Sequence, residues 1–361
     1  MYSAAITDIG YVKLVAWPDT ETPMSHSFRL GFLTHLEGSG NAHRIYQETL
    51  ELFVTADQLG FDVGWVAQHH FKDRGGRLPA PFPFLAAAAE RTRHLRLGTS
   101  IVILPLEHPL RVAEDAAVVD TLSNGRLELG VGSGGDPAEF AAFGVDLAQR
   151  HQRTTSDLET LKRALRGETL GEDGQRLQPP APTLVDRLWQ SALSTRGAYF
   201  VAQGAAGLML SRAVWGTDEP TDQAQLPVVD AYLAAWNGLP AGPRIALSRG
   251  IYPAADRATA LAELRESVLR AAEGMVRQGL FPAGLPLERY CQRMHIAYGH
   301  PDEVAATLLA DQVLPYATDL ILQFNPAFPP LDQALRMLEQ VATQIAPALG
   351  WRPSRHARHD S

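Results

Sequence analysis

Gly64 to Pro109 reads GWVAQHHFKDRGGRLPAPFPFLAAAAERTRHLRLGTSIVILPLEHP, and this stretch decides the fold. An apolar strand, Val63 to Ala67, runs directly into the adjacent histidines His69 and His70. A second apolar strand, Leu95 to Leu104, follows and ends in Pro-Leu-Glu-His-Pro. A parallel α/β barrel gathers its active site from ionisable residues at the C-terminal ends of strands separated by single helices. The stretch reads as part of an enzyme.

Working outward, Phe28–Leu33 reads as the first strand. His43–Leu59 reads as a helix with Tyr46, Leu50, Phe53, Ala56 and Leu59 at three- and four-residue intervals. Gly60 is placed to stop that helix in the left-handed conformation. Phe61–Ala67 and Leu95–Leu104 are strands two and three, and Pro109–Leu122 is a helix that opens on proline. Arg126–Val131, Leu188–Ala192, Gly207–Ser211, Pro243–Tyr252 and Thr318–Phe324 complete eight strands. Helices are expected over Arg153–Leu165, Gly197–Ala206, Asp256–Gln278 and from Leu331 to Ile345. The alternation predicts an α/β fold, a (β/α)8 TIM barrel with insertions, including an irregular segment after strand seven, Phe281–His295; an open doubly wound sheet is the competing arrangement. Residues 1–27 are expected to be an N-terminal extension, 28–350 a single barrel domain and 351–361 a tail.

Composition narrows the function. The 361 residues are 45% hydrophobic and carry 32 basic against 40 acidic side chains, a net charge of -8 with no basic block, which argues against nucleic acid as a partner. The single cysteine, Cys291, excludes an intrachain disulfide and a thiolate metal cluster. Neither a signal peptide at Met1–Thr20 nor a membrane span is expected, so the cytoplasm is the expected address.

Three features carry candidate chemistry. Neighbouring residues on a strand point to opposite faces, so only one of His69 and His70 should face the barrel mouth. A metal site is not expected, because the other strand ends offer Gly-Ser-Gly, Ala-Leu-Ser and Ser-Arg instead of convergent carboxylates. Gly130-Val131-Gly132-Ser133-Gly134-Gly135 lacks dinucleotide-fingerprint spacing. It reads either as a tight loop that needs glycine or as small residues, Gly132 and Ser133, that let a planar ligand approach the backbone. Ser194-Thr195 lies where a helix begins. It is either an ordinary N-cap or an anion site built on free N–H groups.

Together these residues resemble the bacterial luciferase-like monooxygenases, flavin-dependent (β/α)8 enzymes. The resemblance is carried by GFDVGWVAQHHF (60–71), LRLGTSIVILP (95–105) with the following EHP, RVAEDAAVVDTLSNGRLELGVGSG (111–134) and DPAEFAAFG (136–144), then more weakly by LWQSALS (188–194) and GLMLSRA (207–213). It extends from Phe28 to about Gly350 and is closest to the FMN-dependent bacterial members. The resemblance implies that reduced FMN (FMNH2) from a separate flavin reductase reacts with O2 to a C4a-hydroperoxide, which oxygenates a small organic substrate. His69 matches the first histidine of the family's Glu-His-His-Phe motif, beside the reactive edge of the flavin, and is the implied catalytic residue; here the glutamate is Gln68. Ser100-Ile101 matches a non-proline cis peptide under the flavin ring, with Thr99 alongside. Leu193, Ser194 and Gly197 match the phosphate cradle, and Ser133 stands where luciferases carry an arginine, leaving Arg196, Arg212 or Arg249 to balance the phosphate. The resemblance further implies a substrate pocket near His35 and Phe281–His295, and a homodimer through the helices starting at His43 and Pro109. A deazaflavin-dependent oxidoreductase of the same superfamily, a non-catalytic flavin-binding protein and a metal-dependent hydrolase are the alternative readings.

Overall fold

A computed structural model describes residues 28–353, apart from 39, 73–75, 216, 218, 239–241 and 325. The expected extension, residues 1–27, and the tail from residue 354 lie outside the described residues. The chain runs β1 (Arg29–Thr34), α1 (Ala42–Leu59), β2 (Val63–Val66), α2 (Pro81–Arg91), β3 (Arg96–Thr99), β4 (Val102–Ile103), α3 (Pro109–Leu122), β5 (Leu127–Gly132), α4 (Pro137–Ala142) and α5 (Arg150–Leu165). It continues through β6 (Leu188–Ser191), α6 (Thr195–Gln203), β7 (Gly207–Leu210), α7 (Thr221–Ala235), β8 (Ile245–Pro253), α8 (Arg257–Arg277), α9 (Leu287–Arg293), β9 (Ile296–Gly299), α10 (Pro301–Leu309), β10 (Asp319–Phe324) and α11 (Leu331–Gln340).

All pairings are parallel, and β10 bonds both β1 and β8, so the sheet closes on itself. Closure rules out the open doubly wound sheet and gives the eight-stranded TIM barrel. Strand three of the sequence reading is two pieces, β3 and β4, separated by a cis peptide at Ser100-Ile101. β9 is an additional strand on the far edge of β8, pairing Gly250 with Ile296 and Tyr252 with Tyr298. The segment expected to be irregular, Phe281–His295, contains α9 and buries Phe281, Tyr290 and Cys291. Its short apolar face packs on α8, which a scan for long periodic helices does not register. The fold also reaches Trp351, which the sequence reading put in the tail: its indole is buried and donates to Asp62 Oδ2 at 2.8 Å.

The barrel interior is stacked in layers. At the N-terminal end, Glu128 takes charge-assisted bonds from Arg29 (2.7 Å) and Arg96 (2.6 Å) and another from the Trp189 indole (2.6 Å), while Arg29 also pairs with Asp319 at 2.7 Å. Burial alone would push the Glu128 carboxyl up; the two guanidinium groups overcome it and hold it at about 2. Above this plug, Trp65 and Trp189 meet edge to face at 6.0 Å. They fit because the neighbouring strands carry glycine at the paired positions: a Cβ on Gly98 would lie 2.1 Å from Trp65 Cε3, and one on Gly207 2.3 Å from Trp189 Cε3. Leu33, Val63, Ala67, Met209, Ala246 and Ile321 complete the dry layer, with half-buried Ile101 on top of it. The C-terminal mouth is therefore a polar rim above an apolar floor.

Candidate active site

A cavity of about 170 Å3 opens at that mouth, lined by the ends of β1, β2, β7 and β10. His35 and His69 share it with Glu37, Arg212 and Gln323, and Leu33, Phe324 and Phe328 supply apolar wall. The parallel register pairs Gly31 with Val63 and Thr34 with Val66, which carries the two chain segments side by side toward His35 and His69. His35 Nδ1 lies 2.8 Å from His69 Nε2, with the rings stacked at 5.1 Å. The loop after β2 folds back beneath them. His69 N–H donates to Leu78 O, Arg77 N–H donates to His35 O, and Gly76 sits so close that an added Cβ would be 2.2 Å from His69 Cδ2.

The bonds beneath His35 couple to the proton it shares with His69. Gln323 donates its amide to Ser248 Oγ at 2.5 Å, and its side chain also hydrogen-bonds His35. With Nδ1 turned to His69, the nitrogen that bonds Gln323 is His35 Nε2. In the tautomer where His35 Nε2 donates to Gln323, His35 Nδ1 accepts from His69 Nε2–H and His69 Nδ1 is the free base. Burial, reinforced by His69 and Arg212, depresses His35 to about 3 against the Gln323 bond. Burial also lowers His69, with Glu139 opposing. Both rings are neutral at pH 7.

His70 turns away from the cavity. It packs edge-on to Phe143 at 4.7 Å, and its backbone N–H donates to Glu139 at 3.1 Å. Gln68 does not reach the cavity either. It is buried, donates to Pro79 O (2.9 Å) and Glu107 (2.7 Å), and accepts from Ile103 N–H at 2.7 Å. An amide is suited to that place, because a carboxylate there would face Glu107. Gln68 thus ties the end of β2 to the segment after the cis peptide.

The remaining sequence candidates ring the same mouth in strand order. Ser100 and Ile101 form the cis bond at the end of β3. The Thr99 hydroxyl is engaged with β5, donating to Gly130 O and accepting from Gly130 N–H, each at 2.8 Å. Gly132 is closely packed where a side chain would begin: a Cβ there would lie 2.4 Å from Ser191 Oγ and 2.9 Å from Ile101 Cδ1. Ser133 makes only a long bond to Gly134 O at 3.5 Å. Ser194 caps α6, its hydroxyl accepting from Gly197 N–H at 3.1 Å, and the preceding Leu193 is 76% exposed. Of the three candidate arginines, Arg249 is bound to Asp311 at 2.5 Å, Arg212 lines the cavity, and Arg196 stands in the first turn of α6, its guanidinium 5.8 Å from the Phe200 ring. The sequence reading missed Glu37, Ser248 and Gln323. Gln323 lies one residue before the end of β10 and Glu37 just past β1, but Ser248 sits inside β8 and carried no signal of its own. Among the described residues no cluster of three or more His, Cys, Asp or Glu is arranged to hold a metal ion, and no helix is long and apolar enough to cross a membrane.

The chain is 43% identical over 119 residues to 4-hydroxyprotoasukamycin monooxygenase of Streptomyces nodosus subsp. asukaensis, covering 33% of this chain and 32% of that protein. It is 29% identical over 207 residues to the oxygenase component of the flavin-dependent trigonelline monooxygenase of Acinetobacter baylyi, covering 53% and 56% respectively. The chain thus spans between about a third and just over half of these relatives' length. A crystal structure of the monooxygenase RslO1 from Streptomyces bottropensis superposes with a TM-score of 0.72 at 27% identity, covering 89% of this chain and 99% of that one. The family model described as luciferase-like monooxygenase matches residues 28–315, most of the barrel that frames the His35–His69 cavity, and the chain belongs to that family.

Proposed function

We propose that this protein is a flavin-dependent monooxygenase that uses reduced FMN, delivered by a separate flavin reductase, and O2 to oxygenate a small organic substrate. The observation that carries the reading is the neutral His35–His69 pair, set at the mouth of a barrel whose rim also presents the Ser100-Ile101 cis bond.

The rim fits the cofactor. Half-buried Ile101, at the cis bond and on top of the apolar layer, gives a flat ring a surface to rest on. The first turn of α6 offers amide N–H groups together with Arg196 for a phosphate, while Ser194 fixes the turn. Reduced FMN, when bound, supplies the electrons for oxygen activation. The protein's own residues do the rest. The apolar floor formed by Ile101 and the tryptophan layer excludes water from below. His69, in the Nε2–H tautomer that donates to His35, presents Nδ1 as a proton acceptor, and a neutral imidazole suits that role near neutral pH.

Anaerobic titration with FMNH2, followed by stopped-flow mixing with O2, tests this reading. A long delay before oxidised-flavin absorbance returns, shortened in His69→Ala, is expected. Tight FMNH2 binding without any delay would point to a flavin-binding protein, and binding of a deazaflavin in place of FMNH2 to the hydride-transferring alternative. The same reading makes 28–350 one catalytic domain in the cytoplasm and pairs two copies through α1 and α3, where Val118 and Leu122 are exposed on α3.

A further inference from the structure

Arg212 differs from the ion-paired arginines of the barrel, and from Arg126 and Arg244, which lack a carboxylate but donate to backbone carbonyls at 2.6 to 2.9 Å. Arg29, Arg96, Arg187 and Arg249 each hold a carboxylate at 2.5 to 2.7 Å. Arg212 has no carboxylate within ion-pair distance among the described residues. Its hydrogen bond is a long one, 3.4 Å to Met294 O, and its guanidinium lies 5.1 Å from the Trp215 ring. It fronts the cavity that holds His69, and burial lowers it to about 10, with Glu37 opposing from beyond contact distance. At neutral pH it therefore remains a cation, short of one anionic partner, facing open space.

We propose that Arg212 anchors a carboxylate of the organic substrate, so that the protein oxygenates a monoanionic acid. The planar guanidinium offers paired donors in the geometry a carboxylate accepts. Glu37, on the same cavity, limits the tolerated charge: a second anionic group would add to the negative charge that already faces Arg212. Leu33, Phe324 and Phe328 cover the carbon skeleton, and about 170 Å3 is room for a ring-sized body. A flavin phosphate is a poorer occupant. His69 lines this cavity, and on the function proposed above the reactive ring lies beside His69, with the phosphate a ribityl chain away. The inference rests on that reading only in taking this cavity as the substrate site.

Calorimetric titration of flavin-free protein with benzoate and with its neutral counterpart benzamide tests the proposal, while FMN and riboflavin are titrated separately. Benzoate is expected to bind at least tenfold more tightly than benzamide. Arg212→Met should abolish that preference and Arg212→Lys should retain part of it, with unchanged circular dichroism in both. Three results overturn the proposal: no measurable benzoate binding, equal binding of the two probes, or a preference that survives in Arg212→Met. An Arg212→Met variant that weakens FMN but not riboflavin overturns it too, by assigning Arg212 to the phosphate. Failure of FMN to bind leaves the benzoate readout intact and strikes only the flavin reading.

Discussion

A histidine held neutral inside a fold weakens that fold in mild acid, and for His35 the size of the effect can be worked out. Its ordinary value is 6.5 and its folded value about 3. Above pH 6.5 neither the folded nor the unfolded chain protonates it, and stability is unaffected. As pH falls below 6.5 the unfolded chain takes up the proton and the folded chain does not, so stability falls until the folded value is reached. At pH 5 the gap is about 1.5 pH units, or about 2 kcal/mol at about 1.4 kcal/mol per unit. His35→Gln cannot titrate, yet it can still bridge Gln323 and His69. Urea unfolding followed by tryptophan fluorescence and far-UV circular dichroism, at pH 7 and pH 5, measures the difference. Wild type should lose about 2 kcal/mol more than the variant between the two pH values, since every other titrating group is common to both. An equal loss in the two proteins would show that His35 is solvated and protonates normally, and the tautomer assignment at His69 would fall with it.

Other perturbations read other parts of the argument. Gln68→Glu puts a second carboxylate against Glu107 and removes the donor to Pro79 O; it should destabilise by about 1–3 kcal/mol at pH 7 and partly recover at pH 5 in thermal melts. Gly98→Ala drives a methyl to 2.1 Å from Trp65; a cost of about 1–3 kcal/mol and a shifted tryptophan emission are expected, and unaltered emission would contradict the layered interior. Glu128→Gln leaves Arg29 and Arg96 without their shared anion. It should cost about 3 kcal/mol in urea titrations, near the low end for a broken buried pair because both arginines keep some surface in water.

The barrel was legible because each strand is an apolar run, punctuated by Gly, Pro or Asn, and most of the intervening helices carry a three-to-four-residue period. What escaped had physical reasons. β9 is only Ile-Ala-Tyr-Gly, a strand by virtue of its pairing with β8 and not of its own pattern. α7 contains Pro227 and spreads its apolar residues around its circumference. The cis bond leaves no mark on hydrophobic periodicity; only the family resemblance pointed to Ser100-Ile101. The site was half visible. His69 stood out as an ionisable residue at a strand end, while His35 entered only through the pocket the resemblance implied, and their bond depends on register. A parallel offset of 32 residues between β1 and β2 sets His35 level with Ala67 and brings His69 one step above it. The tautomer depends on Gln323 and Ser248, from two further strands that meet only when the barrel closes between β8 and β10. Gln68 makes the same point from the other side. In the sequence it looks like a lost catalytic charge; in the fold its amide joins Glu107, Pro79 and Ile103, out of the cavity. A change of residue inside a motif can therefore be answered by a partner 39 positions away while the neighbouring histidine keeps its place.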